Sequence, residues 1–319
     1  MRTRNSLAVF LCIGLSQLAG AADHRASIRT ATEGPRATIE SPIVGYFSSS
    51  TGLVAIEGIS SAAHARSLAP IAADRVVLPP GQMYQWQERD GRVYLAQLPP
   101  SRASEVISDA WSGADIIAFN SSASAAVLDR AGRLQVISGL TSSPLGVRQI
   151  AAPQGAGDVT ALAISDDSTV VLAATSTGVY AASGDGDWRL VTAGSASAMA
   201  FVPQSHDAIL ARTGGIYLVK DAVSAQWLSD ADSPIAIAAS DDGRLAVVLN
   251  AAGREALVIY LQTAAVTSLP LGAAAKDLQR GRDGTLIFIP AQGISPWLLD
   301  TKSGALSFAP ELPDLAQGR

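Results

Sequence analysis

Cysteine occurs once in the 319 residues, as Cys12, and histidine three times, as His24, His64 and His206. Cys12 lies in an apolar N-terminal stretch, so the remainder of the chain can form no internal disulfide and no thiolate zinc site. Its setting also fails the pattern for lipid attachment, because Leu11 precedes it where a small residue is wanted and the apolar run continues beyond it. A Ser-His-Asp hydrolase needs a histidine beside its nucleophile, and the G-x-S-x-G elbow is missing too. Charged residues make up 16% of the chain, the formal net charge is −5, and no run of Lys or Arg occurs. Such a balance lacks the electrostatic footprint for nucleic acid or anionic lipid. Helical spacing is scarce beyond the N-terminus.

Hydrophobic residues, in contrast, make up 48% of the chain, ample for a core. "MRTRN" supplies a positive start through Arg2 and Arg4, "SLAVFLCIGLSQL" an apolar stretch, and Ala19 and Ala21 flank a cleavage point after Ala21. The apolar stretch is shorter than the roughly 18 residues that a spanning helix needs. Residues 1–21 therefore read as a cleaved signal peptide, and no membrane insertion is expected after cleavage. Residues 22–41 read as a polar linker and 42–319 as a single domain. The destination implied is the periplasm or the exterior of a bacterial cell.

One pattern recurs through that domain. "AIAASDDGRLAVVL" from Ala236 is an apolar run, an acidic turn and a second apolar run. "TALAISDDSTVVLAA" from Thr160, "SAMAFVPQSHDAILA" from Ser197, "KDLQRGRDGTLIFI" from Lys276 and "DIIAFNSSASAAVLD" from Asp115 repeat it. Weaker copies begin at Ser41 and Asp74. A third strand such as "GVYAA" or "GIYLV" and a fourth such as "WRLVT" or "AQWLS" follow. About seven copies, spaced roughly 35–45 residues apart, match an all-β propeller of seven four-stranded blades. The small residues of the first strands suit crowding at an axis, and radial packing covers sheets that could not survive singly. A β-sandwich is the alternative fold. Residues 36–40 are a candidate closing strand against "ALSFA".

The SDD copies with their "GVYAAS" continuation resemble the exported propellers described as YVTN or WD40-like. The Gly-His and Trp-Asp dipeptides of true WD40 repeats are missing. The resemblance implies architecture, with contacts on one rim of the disc, and no particular reaction.

Chemistry is thinly supplied. His64 and His206 read as surface residues. Asp166, Asp167, Asp185, Asp187, Asp241 and Asp242 could offer oxygens to calcium, but Asp and Gly populate tight turns for backbone reasons alone. No metal and no cofactor is expected. "NSS" at Asn120 falls at the end of a first strand, where glycosylation carries no weight. Only "KDLQR" makes a first strand polar, as the start of a closing blade. Trp188 and Trp227 occupy fourth strands and Trp297 a third, where packing accounts for them, and Trp86 belongs to an early strand.

Trp111 instead lies between one copy and the next. The rim it reaches also takes the turns between second and third strands. Those carry Glu88, Arg89, Asp90, Asp129, Arg130, Arg212, Asn250, Arg254 and Glu255, a mixed-charge surface of the kind partners use. The opposing expectation is a solvated edge whose tryptophan folds back on its own blade. Function is expected to be binding or scaffolding, with a protein or an extracellular ligand as partner. The rival is a carbohydrate- or lactone-active enzyme using carboxylates at the axis, and a third reading is a purely structural propeller. Neither partner identity nor oligomeric state is legible.

Overall fold

The structure is a computed structural model that describes residues 41–50, 52–98, 104–184 and 186–312. The expected signal peptide at 1–21, almost all of the expected linker and the candidate closing strand at 36–40 lie outside these residues. The described chain is an all-β propeller of seven antiparallel sheets.

Blade 1 holds β1 (Ile43–Ser49), β2 (Gly52–Ile59) and β3 (Ala62–Ser67). Blade 2 holds β4 (Arg75–Val77), β5 (Tyr84–Arg89), β6 (Arg92–Gln97) and β7 (Ser104–Ile107). In blade 3 these are β8 (Ile116–Phe119), β9 (Ala125–Arg130), β10 (Arg133–Ser138) and β11 (Gly146–Ala151). Blade 4 runs through β12 (Val159–Ile164), β13 (Val170–Thr175), β14 (Gly178–Ser183) and β15 (Asp187–Ala193). Blade 5 is β16 (Ala198–Phe201), β17 (Ala208–Arg212), β18 (Gly215–Lys220) and β19 (Ser224–Ser229). Blade 6 is β20 (Pro234–Ala239), β21 (Leu245–Asn250), β22 (Glu255–Tyr260) and β23 (Ala265–Pro270). Blade 7 closes the series with β24 (Ala275–Arg280), β25 (Thr285–Pro290), β26 (Trp297–Asp300) and β27 (Leu306–Phe308).

Strand alternation explains the packing. A side chain and its cross-strand partners form a row that runs from the axis outward on one face of a blade. In blade 5 the row is Met199, Leu210, Tyr217, Trp227, and its inner members pack on blade 4. Blade 4 receives them on a face built largely of small residues, Ala161, Ala163, Ala174 and Ala181. Blade 7 presents Leu278, Phe288, Trp297 and Phe308 in the same way, with Leu278, Phe288 and Trp297 packed against blade 6.

Two departures from the repeat join the first and last blades. Blade 7 fills its four positions with its own chain, and among the described residues blade 1 has three strands. The chain beyond β27 turns to the free edge of β3: Ala65 N donates to Pro310 O (2.8 Å) and Leu312 N to Ala65 O (3.2 Å). The second departure is in blade 2, whose first strand stops after three residues. Its continuation crosses to blade 1 through a short 3-10 turn, Pro80–Gln82. Gln82 is fully buried and its amide mimics a strand edge, accepting from Tyr46 N at 2.5 Å and donating to Tyr46 O at 2.7 Å. Arg282 of blade 7 donates to Gln82 O (3.0 Å) and lies over the Tyr46 ring, tying blades 7, 1 and 2 together.

Candidate functional site

The start of each first strand lies beside the end of the second, as Asp74 N to Glu88 O and Asp115 N to Asp129 O (both 2.8 Å) show. Inter-blade connections and the turns between second and third strands therefore share one rim. On blades 2 and 3 the two turns have related sequences, Arg89-Asp90-Gly91-Arg92-Val93-Tyr94 and Arg130-Ala131-Gly132-Arg133-Leu134-Gln135. Gly91 and Gly132 both adopt positive φ, which the tight turn requires.

Between them runs the connection bearing Trp111, fixed at several points. Gln135, 1% exposed, accepts from Trp111 N and donates to Asp109 O, both at 2.9 Å. Glu88 accepts from Gly113 N (2.7 Å) and from Trp86 Nε1 (3.3 Å). Ser112 Oγ donates to Gly91 O (2.8 Å), and Arg75 donates to Ala114 O. Carboxylates cap the turns as well: Asp74 accepts from Asp90 N and Asp115 from Ala131 N, each at 3.1 Å. Most acidic groups here are thus engaged with backbone or indole N–H groups, whereas Arg92 and Arg130 extend into solvent.

Of the ten rim residues read from the sequence, the fold gathers Glu88, Arg89, Asp90, Trp111, Asp129 and Arg130 over blades 2 and 3. Arg212 sits on blade 5, and Asn250, Arg254 and Glu255 on blade 6. Three of the gathered six are wholly or partly buried. Glu88 is buried, with the partners just given. Asp129 is also buried, and its Oδ1 has no hydrogen-bond partner among the described residues. Burial, then the neighbouring Asp115 carboxylate, holds the Asp129 carboxyl above the ordinary range. Trp111 is half-buried against the cluster around Trp86, with the Arg133 guanidinium 5.6 Å from its ring centre. Gln135 and Arg133 escaped the sequence reading; the turn motif shared with blade 2 was the signal for both.

The opposite rim is built by the turns after first strands. In both SDD turns the serine and second aspartate close the turn. Ser165 Oγ donates to Asp167 (2.6 Å) and Ser240 Oγ to Asp242 (2.7 Å), and each aspartate also accepts a backbone N–H two residues on. Burial pushes the Asp167 carboxyl up, but hydrogen bonds from Ser165, Thr169 and His206 outweigh it and the net shift is strongly downward. The first aspartate joins blades: Asp166 accepts from Ser121 Oγ of blade 3 (2.7 Å) and Gln204 N of blade 5 (2.8 Å), and Asp241 pairs with Arg280 of blade 7. Asn120 is buried and bonded within its turn, Oδ1 accepting from Ala125 N (3.0 Å). His206 pairs with Asp167 at 2.9 Å, and His64 lies 3.4 Å from Glu57. Among the described residues no three His, Cys, Asp or Glu side chains are grouped to hold a metal ion. Asp185 lies outside them.

The axis holds a cavity of about 270 Å³ lined by the first strands of blades 3 to 7 and by Leu78 and Pro80. Its walls are mainly Ile, Leu, Ala, Phe and Met, with Ser121, Gln279 and Arg280 as the polar side chains and no carboxylate. In "KDLQR" Lys276 is exposed, while burial raises the Asp277 carboxyl, offset in part by hydrogen bonds from Leu278 N and the Gln279 amide.

Among the tryptophans, Trp86 is fully buried, Trp188 packs on the blade 3 cluster and donates to Ala151 O (2.7 Å), and Trp297 packs against Phe308. Trp227 departs from its expected role as packing, since it is 54% exposed.

No family model matches the chain, and no curated protein does. Among solved structures, a functionally unknown protein from Desulfotomaculum acetoxidans is similar, with a TM-score of 0.50 and 17% identity. The match covers 69% of this chain and 75% of that one, and at this identity it shows the fold alone.

Proposed function

We propose that this propeller is an exported binding module that meets its partner with the rim over blades 2 and 3. A propeller fold supports binding or scaffolding in general. The observation favouring this rim is its stiffness: two turns and the connection between them are fastened by buried Glu88 and Gln135 while Arg92 and Arg130 point outward. A surface held in one arrangement before contact loses less entropy on binding. Arginine and tryptophan are also the residues that most often anchor interfaces. Export belongs to this reading through Arg2, Arg4 and the small residues at Ala19 and Ala21, and so does kinship with YVTN- or WD40-like propellers. The mainly apolar lining of the axial cavity supports binding as the reading.

The test is capture of partners from bacterial envelope extract by the intact propeller and by an R92E/R130E variant of equal stability. Loss of a captured partner in the variant supports the rim over blades 2 and 3. Equal capture by both rejects it.

A further inference from the structure

The axial cavity is lined by the last residues of five first strands: 117–119 of blade 3, 162–164 of blade 4, 199–201 of blade 5, 237–239 of blade 6 and 278–280 of blade 7. It therefore occupies the half of the axis nearest the turns after first strands, on the rim opposite Trp111. Its walls are held in place. On the side of blades 1 and 2 the wall is Leu78 and Pro80 of the crossing segment, which Gln82 fastens to Tyr46 by two hydrogen bonds. Phe119 meets Trp86 edge-on at 5.9 Å and Tyr84 at 6.4 Å, contacts that keep its ring from swinging into the space. The small side chains of Ala118, Ala163, Ala200 and Ala238 leave that space open.

Three polar side chains join this lining, and their hydrogen bonds are unevenly spent. Ser121 Oγ donates to Asp166 (2.7 Å). Arg280, with a side chain only 12% exposed, pairs through Nη2 with Asp241 of blade 6. That pair holds the guanidinium in one place, while its Nε and Nη1 have no partner among the described residues. Gln279 gives an amide N–H to Asp277, which orients the amide, and its Oε1 is buried with no partner among the described residues. An acceptor left in that state costs stability and calls for an explanation. The cavity thus has an apolar body, one unanswered acceptor and one donor group with N–H to spare. Asp166 and Asp241 set two carboxylates near one guanidinium, so an anionic head would meet net negative charge there.

We propose that the axial cavity binds a small neutral aromatic alcohol, its rings among Phe119, Met199 and Phe201 and its hydroxyl answered by Gln279 and Arg280. A hydroxyl both donates and accepts, so one group can satisfy Gln279 Oε1 and take an N–H from the guanidinium. Mainly apolar walls with a few convergent polar groups are the usual makeup of a small-molecule site. Size follows from volume: an apolar cavity of about 150 Å³ holds benzene, so the present one of about 270 Å³ admits two fused rings. The two phenylalanine rings and the methionine sulfur favour an aromatic body over an aliphatic one. This site lies on the other rim from the surface over blades 2 and 3 and is independent of it.

The experiment is equilibrium dialysis of the intact propeller against 2-naphthol, with naphthalene, 2-methoxynaphthalene and 2-naphthoate as comparisons. The expected result is saturable binding of one 2-naphthol per chain. Naphthalene and 2-methoxynaphthalene, which cannot donate to Gln279, should bind about tenfold more weakly, and 2-naphthoate more weakly still. A200L fills the space and should abolish binding. Q279M should lower the affinity for 2-naphthol about tenfold and leave that for 2-methoxynaphthalene unchanged, which keeps the test decisive if A200L fails to fold. R280M should weaken both oxygen-bearing neutral ligands and leave naphthalene unchanged. D241N, which removes a carboxylate beside Arg280, should raise the affinity for 2-naphthoate. No saturable binding of 2-naphthol, equal binding by folded A200L, naphthalene bound as tightly as 2-naphthol, or 2-naphthoate bound more tightly would each overturn the proposal. The R92E/R130E variant should bind 2-naphthol as the parent does, so failure here leaves the rim over blades 2 and 3 untouched.

Discussion

Replacing Gln82 should cost the propeller a large part of its stability, although this side chain lies in no regular strand. The site is fully buried, and its amide is hydrogen-bonded to two main-chain groups on the outer edge of β1, Tyr46 N at 2.5 Å and Tyr46 O at 2.7 Å. Gln82→Ala leaves both groups buried without a partner, at about 1–3 kcal/mol each. The expected loss is about 4 kcal/mol, set against roughly 5–15 kcal/mol for a typical domain. Gln82→Met separates the terms, since it keeps most of the volume and removes both hydrogen bonds. If polar satisfaction dominates, the methionine variant falls nearly as far as the alanine variant. Urea unfolding followed by tryptophan fluorescence gives both numbers, with the midpoint compared at a common slope. A loss below about 1 kcal/mol in Gln82→Ala would refute the surrogate-edge role and assign the crossing turn to mere loop.

Asp166→Ala should cost about 2 kcal/mol in the same assay, because one carboxylate is shared among three blades, and a double-mutant cycle with Ser121→Ala should show coupling between adjacent blades. Ala309→Asp should cost about 3 kcal/mol or more, since Ala309 is fully buried among residues of blades 1 and 7 just before the chain reaches β3; an unchanged midpoint would show that the tail does not fasten the first blade. Asp129→Asn should raise the unfolding midpoint at pH 7 and leave it nearly unchanged near pH 3. Its folded carboxyl is held above the unfolded value, so the penalty of ionisation is absent below the unfolded pKa and fully present above the folded one. A midpoint lowered at pH 7 would contradict that sign.

The blade count and the strand order within blades were legible because each blade repeats one row of side chains, and a row is a short-range pattern. "ALAI", "AMAF" and "AIAA" state the alternation and the small residues directly, and the SDD turns state where the first hairpin reverses. What crosses between blades was not legible. Asp166 reads as a turn residue in its own copy, and only the fold brings Ser121 and Gln204 to it. Glu88 and Asp129 read as rim charges because they end second strands beside a turn. Whether such a residue points outward or under the adjoining connection depends on a chain segment some 25 residues away, as the bond from Gly113 N to Glu88 illustrates. The closure of the ring was hidden for the same reason, since Pro310 and Ala65 belong to opposite ends of the domain.

Repetition also sharpens the reading of the exceptions. Where every blade needs the same packing, a residue that meets the need and then exceeds it points to something besides packing. Gln82 and Arg282 exceed the pattern where the first and last blades meet, and closure accounts for them. Gln135 exceeds it by replacing the tyrosine of blades 2, 4 and 5, and in return it fastens the connection that carries Trp111. Trp227 does not exceed it by exposure: it and the comparable Leu190 of blade 4, each the cross-strand partner of a tyrosine, are both 54% exposed, so the outermost strand leaves this position open in both blades.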